Sequence, residues 1–537
     1  LAFTTMTMTT MKRKIIFVTL SAIALNNVGP CKCFIPSPIS KAKNIKFSTP
    51  TTQRHRPQLS SQSSVDDDYA ENPDLTGTFV DGFPLPPTPT RPDDADLESS
   101  IRRVPITSLD QPLPSKRDIS SQSDQPLRVI IAGGGLGGLA LASTLVQSGY
   151  DVHVFEQAQR YKPFGGPIQI QSNALWALRE INPALYSAVS EAGVLTGDRL
   201  SGIKDGKRYE EGWLVKFDAA TPAKKCRLPL TLAINRVVLQ EIFLKYGVPM
   251  ERVHTSSKVV SYKNIFDGDD ERGVEVTLED GERIYGDVLV GADGIWSRVA
   301  HQMKQLDPNE AGPKFATKHA KYSGYTCFTG TCKHTPVDID SVAYKVFLGQ
   351  KQYLGCTDCG FGWQHWWAFL PDPPGAAIDD DEPMLDRLKR EFAEWSPEIH
   401  DLFDATKPEV VKRRDLYDRL PLGDGWIDSR VALLGDACHP TMPNLGQGGA
   451  MAIEDAYVLG RELEGVRHAD ELGGRLEKYE RRRFVRASIA QFLSRNGSDL
   501  LVDWEKLRTT PVVGPIAMWF INVFQPLTMN YLYSAKF

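Results

Sequence analysis

The chain has 537 residues, with Lys+Arg 62 against Asp+Glu 67 and a net charge of −5. That length accommodates one large interleaved domain or two ordinary ones, with tails to spare, and the charge balance makes no electrostatic case for a nucleic-acid partner. Eight cysteines in so long a chain do not amount to a disulfide framework.

Residues 1–65 contain no Asp or Glu but many Ser, Thr, Lys and Arg. From Met11, MKRK supplies a positive start and IIFVTLSAIAL an apolar run too short to span a bilayer, so residues 1–33 are expected to be a signal peptide. Residues 34–65, beginning at Phe34, have the basic, acid-free, Ser/Thr-rich composition of a transit peptide. Two addresses in succession resemble the targeting of algae whose plastids lie within extra membranes, and imply a plastid location. Pro, Ser and Asp dominate residues 66–125 without any apolar period, the composition of a linker.

The fold is expected over residues 126–498. RVIIAG from Arg128 is a short β-branched run without polar alternation, as a strand buried on both faces of a parallel sheet requires. A helical stretch closed by Gly149 follows, then a second strand, YDVHVFE. Between strand and helix lie Gly133, Gly135 and Gly138. The first permits a tight turn, the second lets a pyrophosphate approach the backbone, and the third lets helix and strand pack closely. Glu156 ends the second strand, where an acid accepts hydrogen bonds from an adenosine ribose. Together these predict a dinucleotide site, which FAD and NAD satisfy equally.

In the middle of the chain, VEVTLEDGERIYG alternates about a turn at Asp280-Gly281, and YSGYTCFTG, SVAYKVFLG and WQHWWAFL are aromatic strands with glycine ends. They predict an antiparallel substrate sheet drawn mainly from 200–230 and 315–420. Cys356 and Cys359 form a Cys-x-x-Cys, but Cys327 and Cys332 are spaced wrongly to complete a zinc site. After Pro421, RVALLGDA returns to a buried strand that ends at Gly435 and Asp436. NLGQGGAMAIEDA then starts a helix at the cluster Gly446, Gln447, Gly448 and Gly449. A carboxylate at the strand end can hold a ribityl or sugar hydroxyl, and helix N–H groups suit the pyrimidine edge of a reduced flavin. Cys438 and His439 are adjacent, so they are expected to point apart and to hold no metal, and Glu454 and Asp455 to cap or pair on the helix. GGRLEKYERRRFVRASIAQFLSR is expected to be a solvated helix of mixed charge. Residues 499–537 are apolar but broken by Pro515 and Pro526, which suits helices packed on the domain or lying on a membrane surface rather than one span.

GADGIWSRVA with Asp293 and Gly294, LLGDACHP through GQGG, and the first glycine motif occur in the order found in single-component FAD-dependent monooxygenases of the para-hydroxybenzoate hydroxylase type, which the chain resembles over about residues 127 to 495. GGPIQIQSNALWAL, YSGYTCFTG, YKVFLGQKQY and RRDLYDRLP further resemble zeaxanthin epoxidases. The resemblance implies an α/β fold in which a Rossmann-like FAD-binding domain is interleaved with an antiparallel-sheet substrate domain. Gly133, Gly135, Gly138 and Glu156 would hold the adenosine half of FAD, and Arg236 the diphosphate or nearby flavin. Asp293 and Gly294 would serve the diphosphate region, with the reductant as a further role for Asp293; Asp436 would hold the ribityl chain or the diphosphate, and Gly446 to Gly449 the ring. It also implies O2 as cosubstrate, NADPH or reduced ferredoxin as electron donor, a xanthophyll substrate and peripheral association with the thylakoid. Because the cofactor carries the reactive oxygen, no catalytic side chain is assigned. Tyr322, Tyr325, Phe328, Trp363, Trp366 and Trp367 are candidates for an aromatic substrate pocket. Plant epoxidases carry an Arg where Gly166 stands and continue into a forkhead-associated domain, which does not follow before Phe537. The alternatives are a hydroxylase of small aromatic acids and a non-catalytic flavin- and pigment-binding regulator.

Overall fold

The computed structural model describes residues 126–161, 166–312, 320–375, 382–421, 425–502 and 531–533, with Phe79–Val80, Phe83–Pro84 and Leu109 ahead of them. The signal and transit segments and nearly all of the apolar C-terminal stretch lie outside the described residues. Within the expected linker, Phe79–Val80 pairs with Phe83–Pro84, and the Leu109 carbonyl accepts a hydrogen bond from the Tyr285 N–H.

β1 (Arg128–Ala132) is buried along its whole length, as its unbroken apolar run requires of a central parallel strand. The chain continues through α1 (Leu136–Gln147) into β2 (Asp151–Phe155), then β3 (Pro167–Ile170), α2 (Ser172–Ile181), α3 (Pro183–Ala192), β4 (Val194–Leu195), β5 (Leu200–Asp205), β6 (Trp213–Phe217), α4 (Ala220–Lys225), β7 (Leu232–Asn235), α5 (Arg236–Tyr246) and β8 (Val253–His254). A meander follows, β9 (Val259–Asp267), β10 (Asp270–Leu278) and β11 (Arg283–Gly286), then β12 (Val288–Gly291) and α6 (Arg298–Met303). Next come β13 (Lys321–Lys333), β14 (Val342–Leu348), β15 (Tyr353–Gly360), β16 (Trp363–Leu370), α7 (Met384–Glu391), α8 (Pro397–Asp404) and β17 (Lys412–Asp418). β18 (Ile427–Asp428), β19 (Val431–Leu433), α9 (Gly448–Leu463) and α10 (Leu472–Val502) complete the elements used below.

The first sheet has the order β8-β2-β1-β12-β19-β18 and is parallel except at its last pair. Its strands come from four stretches of chain, because the polypeptide leaves it after β2 to build the other sheets and returns at β8, at β12 and at β18–β19. The expected hairpin about Asp280-Gly281 forms, with Thr277 opposite Arg283. It belongs to its own three-stranded sheet, however, while the VLVG run that follows becomes β12 of the parallel sheet.

The second large sheet has the order β17-β13-β16-β15-β14-β5-β6, antiparallel except between β14 and β5. Successive side chains on a strand point to opposite faces, and here both faces are used. Phe328, Phe347, Leu354, Trp366, Ala368 and Leu370 pack with Leu385 and Leu388 of α7 and Ile399, Leu402 and Phe403 of α8. The other face closes over the cavity described below.

α10 departs from the solvated helix expected of its composition. Leu472, Leu476, Tyr479, Ala487 and Ala490 form a buried stripe, and Arg483, which falls on the same stripe, is 0 % exposed.

Candidate functional site

The glycine loop after β1 divides its work as the spacing predicts. Gly133 adopts φ +107°, and a Cβ on it would lie 2.4 Å from the Ala292 carbonyl oxygen. A Cβ on Gly138 would lie 2.0 Å from the Gly133 carbonyl oxygen, so only glycine lets α1 start against that turn. Gly135 has no atom within 4 Å of its Cβ position and opens onto the cavity. Glu156 accepts hydrogen bonds from the N–H groups of Gly134 and Ala158, both at 2.8 Å, and thereby holds the loop in shape.

A cavity of about 590 Å³ lies between this loop, the segments after β12 and β19, the N-terminus of α9 and the second sheet. Of the residues predicted to bind the cofactor, Gly135, Arg236, Gly294, Asp436, Gly446, Gly448 and Gly449 line it; Gly133, Gly138, Glu156, Asp293 and Gln447 do not. Asp293 acts on its own chain, accepting from the N–H groups of Arg298 at 2.8 Å and Val299 at 3.4 Å at the start of α6, and burial raises its pKa. Gln447 turns inward, donating to Gln171 and accepting from Asn173. Gln171 also donates to the Leu445 carbonyl at 2.7 Å, so the GQGG loop is held from QIQSN, a segment for which the sequence suggested no structural role.

Asp436 is exposed, and it opens onto the cavity. Desolvation by the surrounding walls pushes its pKa up, and the charges of His439, Arg236 and Arg419 pull it down. Among the described residues neither Asp436 nor Arg236 makes a side-chain hydrogen bond. A carboxylate, a guanidinium, two helix N-termini and an open glycine facing one cavity are the donor and acceptor set that a flavin dinucleotide requires.

Behind the Asp436 loop lies a buried ion network. Asp455 accepts from the Gly435 N–H at 3.0 Å and pairs with His439 Nε2. Arg483 bridges Asp455 and Glu454, 2.6 Å from each. Arg486 also grips Glu454 and reaches the carbonyl oxygen of Leu532 at 2.8 Å. Burial opposes a charged His439 ring, but the Asp455 carboxylate overrides it and holds its pKa well above the ordinary value. The expectation that Cys438 and His439 point apart is therefore corrected: ligand atoms of Cys438, His439 and Asp455 all lie within 4.8 Å of one another. With both Asp455 oxygens engaged by cations and the Cys438 thiol pushed up by burial, the trio is an ion pair beside a neutral thiol. Glu454 and Asp455 do pair, as expected, but with α10 rather than along their own helix.

Strand parity corrects the aromatic pocket. Trp367 lines the cavity, whereas Trp366 and Phe328 point to the opposite face and are core. Tyr325 packs in the sheet, Trp363 against the main core, and Tyr322 donates to the Asp372 carbonyl. The cavity face instead presents Phe217, Tyr344, Phe369, His365 and, from the C-terminal end, Tyr533. Each tryptophan lies over a cross-strand glycine, Trp366 over Gly330 and Trp367 over Gly355. Trp366→Ala is expected to cost about 3–5 kcal/mol of stability, measured by denaturant unfolding. Trp367→Ala should cost far less stability but raise the KM for substrate. Equal stability losses would refute the two-face assignment.

Cys356 and Cys359 are likewise separated by parity, one in the α7–α8 core and one in the main core. Neither nitrogen of His365 has a hydrogen-bond partner, and burial pushes its pKa down from 6.5 to about 4. A folded value below the unfolded one means that the neutral ring's contribution to stability is complete above the unfolded pKa and is lost as pH falls toward about 4. H365Q is therefore expected to remove about 3 kcal/mol of acid sensitivity across that window. An unchanged slope of unfolding free energy against pH would count against a neutral buried ring.

Comparison with known proteins follows the same lines. Residues 131–167 match an NAD(P)-binding Rossmann-like domain and residues 379–492 an FAD binding domain. The chloroplastic zeaxanthin epoxidase of Spinacia oleracea is 42% identical over 383 residues, 69% of this chain and 54% of that protein. That of Prunus armeniaca is 39% identical over 461 residues, 82% of this chain and 66% of that protein. The chain thus spans between about half and two thirds of these relatives' length. Among solved structures, Klebsiella pneumoniae HpxO, complexed with FAD and uric acid, superposes with a TM-score of 0.64 at 25% identity, covering 76% of this chain and 97% of that one. A salicylate hydroxylase substrate complex gives 0.60 at 21%, covering 77% and 99%, and shows the fold.

Proposed function

The chain belongs to the FAD-dependent monooxygenase family that includes the zeaxanthin epoxidases, and from that premise we propose that it epoxidises the ring of a xanthophyll in a plastid. The candidates are zeaxanthin through antheraxanthin to violaxanthin, and diatoxanthin to diadinoxanthin. The observation that carries the reading is one cavity faced on one side by the glycine loops, Arg236 and Asp436, and on the other by an aromatic sheet face.

Gly135 and the start of α1 would receive the diphosphate, with Arg236 nearby, and the Glu156-braced loop the adenosine. Asp436 would hold the ribityl hydroxyls, and the free N–H groups of Gly448 and Gly449 the pyrimidine edge. FAD, when bound, supplies the activation of O2 and the transfer of one oxygen atom to the substrate double bond. The protein's own part is orientation and exclusion of water. Phe217, Tyr344, Trp367 and Phe369 offer flat apolar contact to a polyene end-ring, and no protein nucleophile is required. NADPH or reduced ferredoxin is the proposed reductant. Peripheral thylakoid association is proposed on the lipid solubility of the substrate; among the described residues no helix is long and apolar enough to cross a membrane.

A second reading, hydroxylation of a small aromatic acid, is favoured by Lys412 and Arg414 on the cavity wall. Incubation of FAD-loaded protein with zeaxanthin or diatoxanthin, reductant and O2 in lipid is expected to yield epoxides by chromatography. Rapid phenolate-stimulated NADPH oxidation without epoxide would favour the second reading. Carotenoid bound in stoichiometric amount, with no flavin reduction by any donor, would instead indicate a non-catalytic carrier.

A further inference from the structure

β15 and β16 are joined by a two-residue hairpin loop, Phe361-Gly362. Both loop residues have positive φ, +53° at Phe361 and +78° at Gly362. The turn that matches the twist of the strands requires this, and its first position ordinarily takes Asn, Asp or Gly. A bulky residue there is an outlier. Phe361 nevertheless stands 79 % exposed at the tip, so neither the turn nor the core accounts for it.

Two neighbouring loops present apolar side chains beside it. A Cβ on Gly360 would lie 2.6 Å from Val194, and one on Gly362 3.2 Å from the Thr335 hydroxyl. The hairpin tip therefore sits between the β4–β5 and β13–β14 connections. Arg199 staples all three loops: its guanidinium donates to the carbonyls of Leu195 at 2.7 Å and Ile339 at 2.9 Å and pairs with Asp358 at 2.8 Å. The first loop exposes Leu195 at 45 %, and the second exposes Val337 entirely. Charge on these loops is mixed, with Lys333 against Asp198 and Asp340, all exposed.

Three side chains on separate tips cannot supply the roughly 800 Å² per partner that a stable protein interface buries. They suit insertion into a fluid apolar phase, where each gains its transfer free energy without a complementary shape. Mixed charge gives an anionic headgroup surface no advantage over a neutral one. The corner also adjoins the cavity. Pro167 lines both the cavity and a small recess walled by Val194 and Phe361, and Thr196 and Gly197, which follow Leu195, line the cavity.

We propose that Leu195, Val337 and Phe361, held together by Arg199, form the surface by which the protein docks on a lipid bilayer, with their side chains inserted into its apolar boundary beside the cavity. This deepens the reading of the cavity as a xanthophyll site and rests on it, since such a substrate is itself dissolved in lipid.

The test is flotation of the FAD-loaded full chain with vesicles of uncharged phosphatidylcholine, with and without phosphatidylglycerol. Wild type is expected to float with both, and salt to change little. F361N, whose side chain tolerates the positive φ, should keep the thermal unfolding midpoint and partition about 10-fold more weakly. L195S/V337S/F361N should partition about 100-fold more weakly or worse. F361W, which keeps an interfacial aromatic, should retain wild-type binding.

Wild type that does not float overturns the proposal, and so do variants that float as well as wild type, since the docking surface would then lie elsewhere on the chain. Flotation that needs phosphatidylglycerol and vanishes in salt overturns it too. Self-association of wild type that the triple variant lacks, measured by sedimentation, would assign the tips to a second copy instead. If the triple variant does not fold, F361N against F361W decides. Because no turnover is read, failure here is separable from that of the functional reading. Flotation that depends on Phe361, without epoxide from any xanthophyll, sinks only the function, and epoxidation by wild type that does not float sinks only this inference.

Discussion

Arg483→Ala is expected to lower the unfolding free energy by about 3–5 kcal/mol and to reduce the yield of flavin-loaded protein. Arg483 is 0 % exposed and bridges Asp455 and Glu454, both equally buried. Removing it leaves two carboxylates facing each other without the cation that compensates their desolvation, and His439 and Arg486 each reach only one of them. The defect should spread to the cofactor, because Asp455 accepts the Gly435 N–H and so positions the strand end that carries Asp436. Arg483→Lys should recover part of the stability, since one ammonium cannot reproduce the planar fork that spans both acids. Denaturant unfolding and flavin stoichiometry are the measurements. An Ala variant with wild-type stability would show that the network contributes nothing.

The second large effect separates two glycines of the same loop. Gly135→Val is expected to leave the unfolding of flavin-free protein unchanged and to weaken FAD binding by about 100-fold or more. Its side chain would enter open space inside the protein but would occupy the approach of the pyrophosphate to the α1 N–H groups. Gly138→Ala should weaken both. Its Cβ would meet the Gly133 carbonyl oxygen at 2.0 Å, and backbone at the centre of the parallel sheet cannot give way without disturbing β1. Overpacking of this kind costs about 1–3 kcal/mol or more. Thermal unfolding with and without added FAD distinguishes them. Equal loss of apo stability in both variants would overturn the division of roles.

Much of the architecture was legible because it rests on local pattern. Buried-strand runs, the glycine spacing and the helix start at Gly448 are each set by backbone sterics within a few residues, and each lies where expected. The cavity composition was not legible in the same way. WQHWWAFL announces aromatic residues, but neighbouring tryptophans on a strand face opposite layers, and the pattern does not say which layer holds the cavity. A better signal was available in the glycines, since Gly330 and Gly355 each mark the face that receives an indole. Arg483 offered a signal too: it interrupts the apolar spacing Leu476, Tyr479, Ala487 where a hydrophobic residue would ordinarily stand.

By itself, the sequence determined the dinucleotide-binding unit, the second glycine cluster with Asp436, and the division into parallel and antiparallel layers, because these follow from short-range sterics and periodicity. Only the tertiary structure decided that Cys438, His439 and Asp455 come together, that Arg483 and Arg486 are buried on Glu454, and that His365 faces Gly166. Those outcomes depend on contacts between residues far apart in the chain. There, burial turns charge and hydrogen-bonding capacity from a surface property into a requirement for a partner.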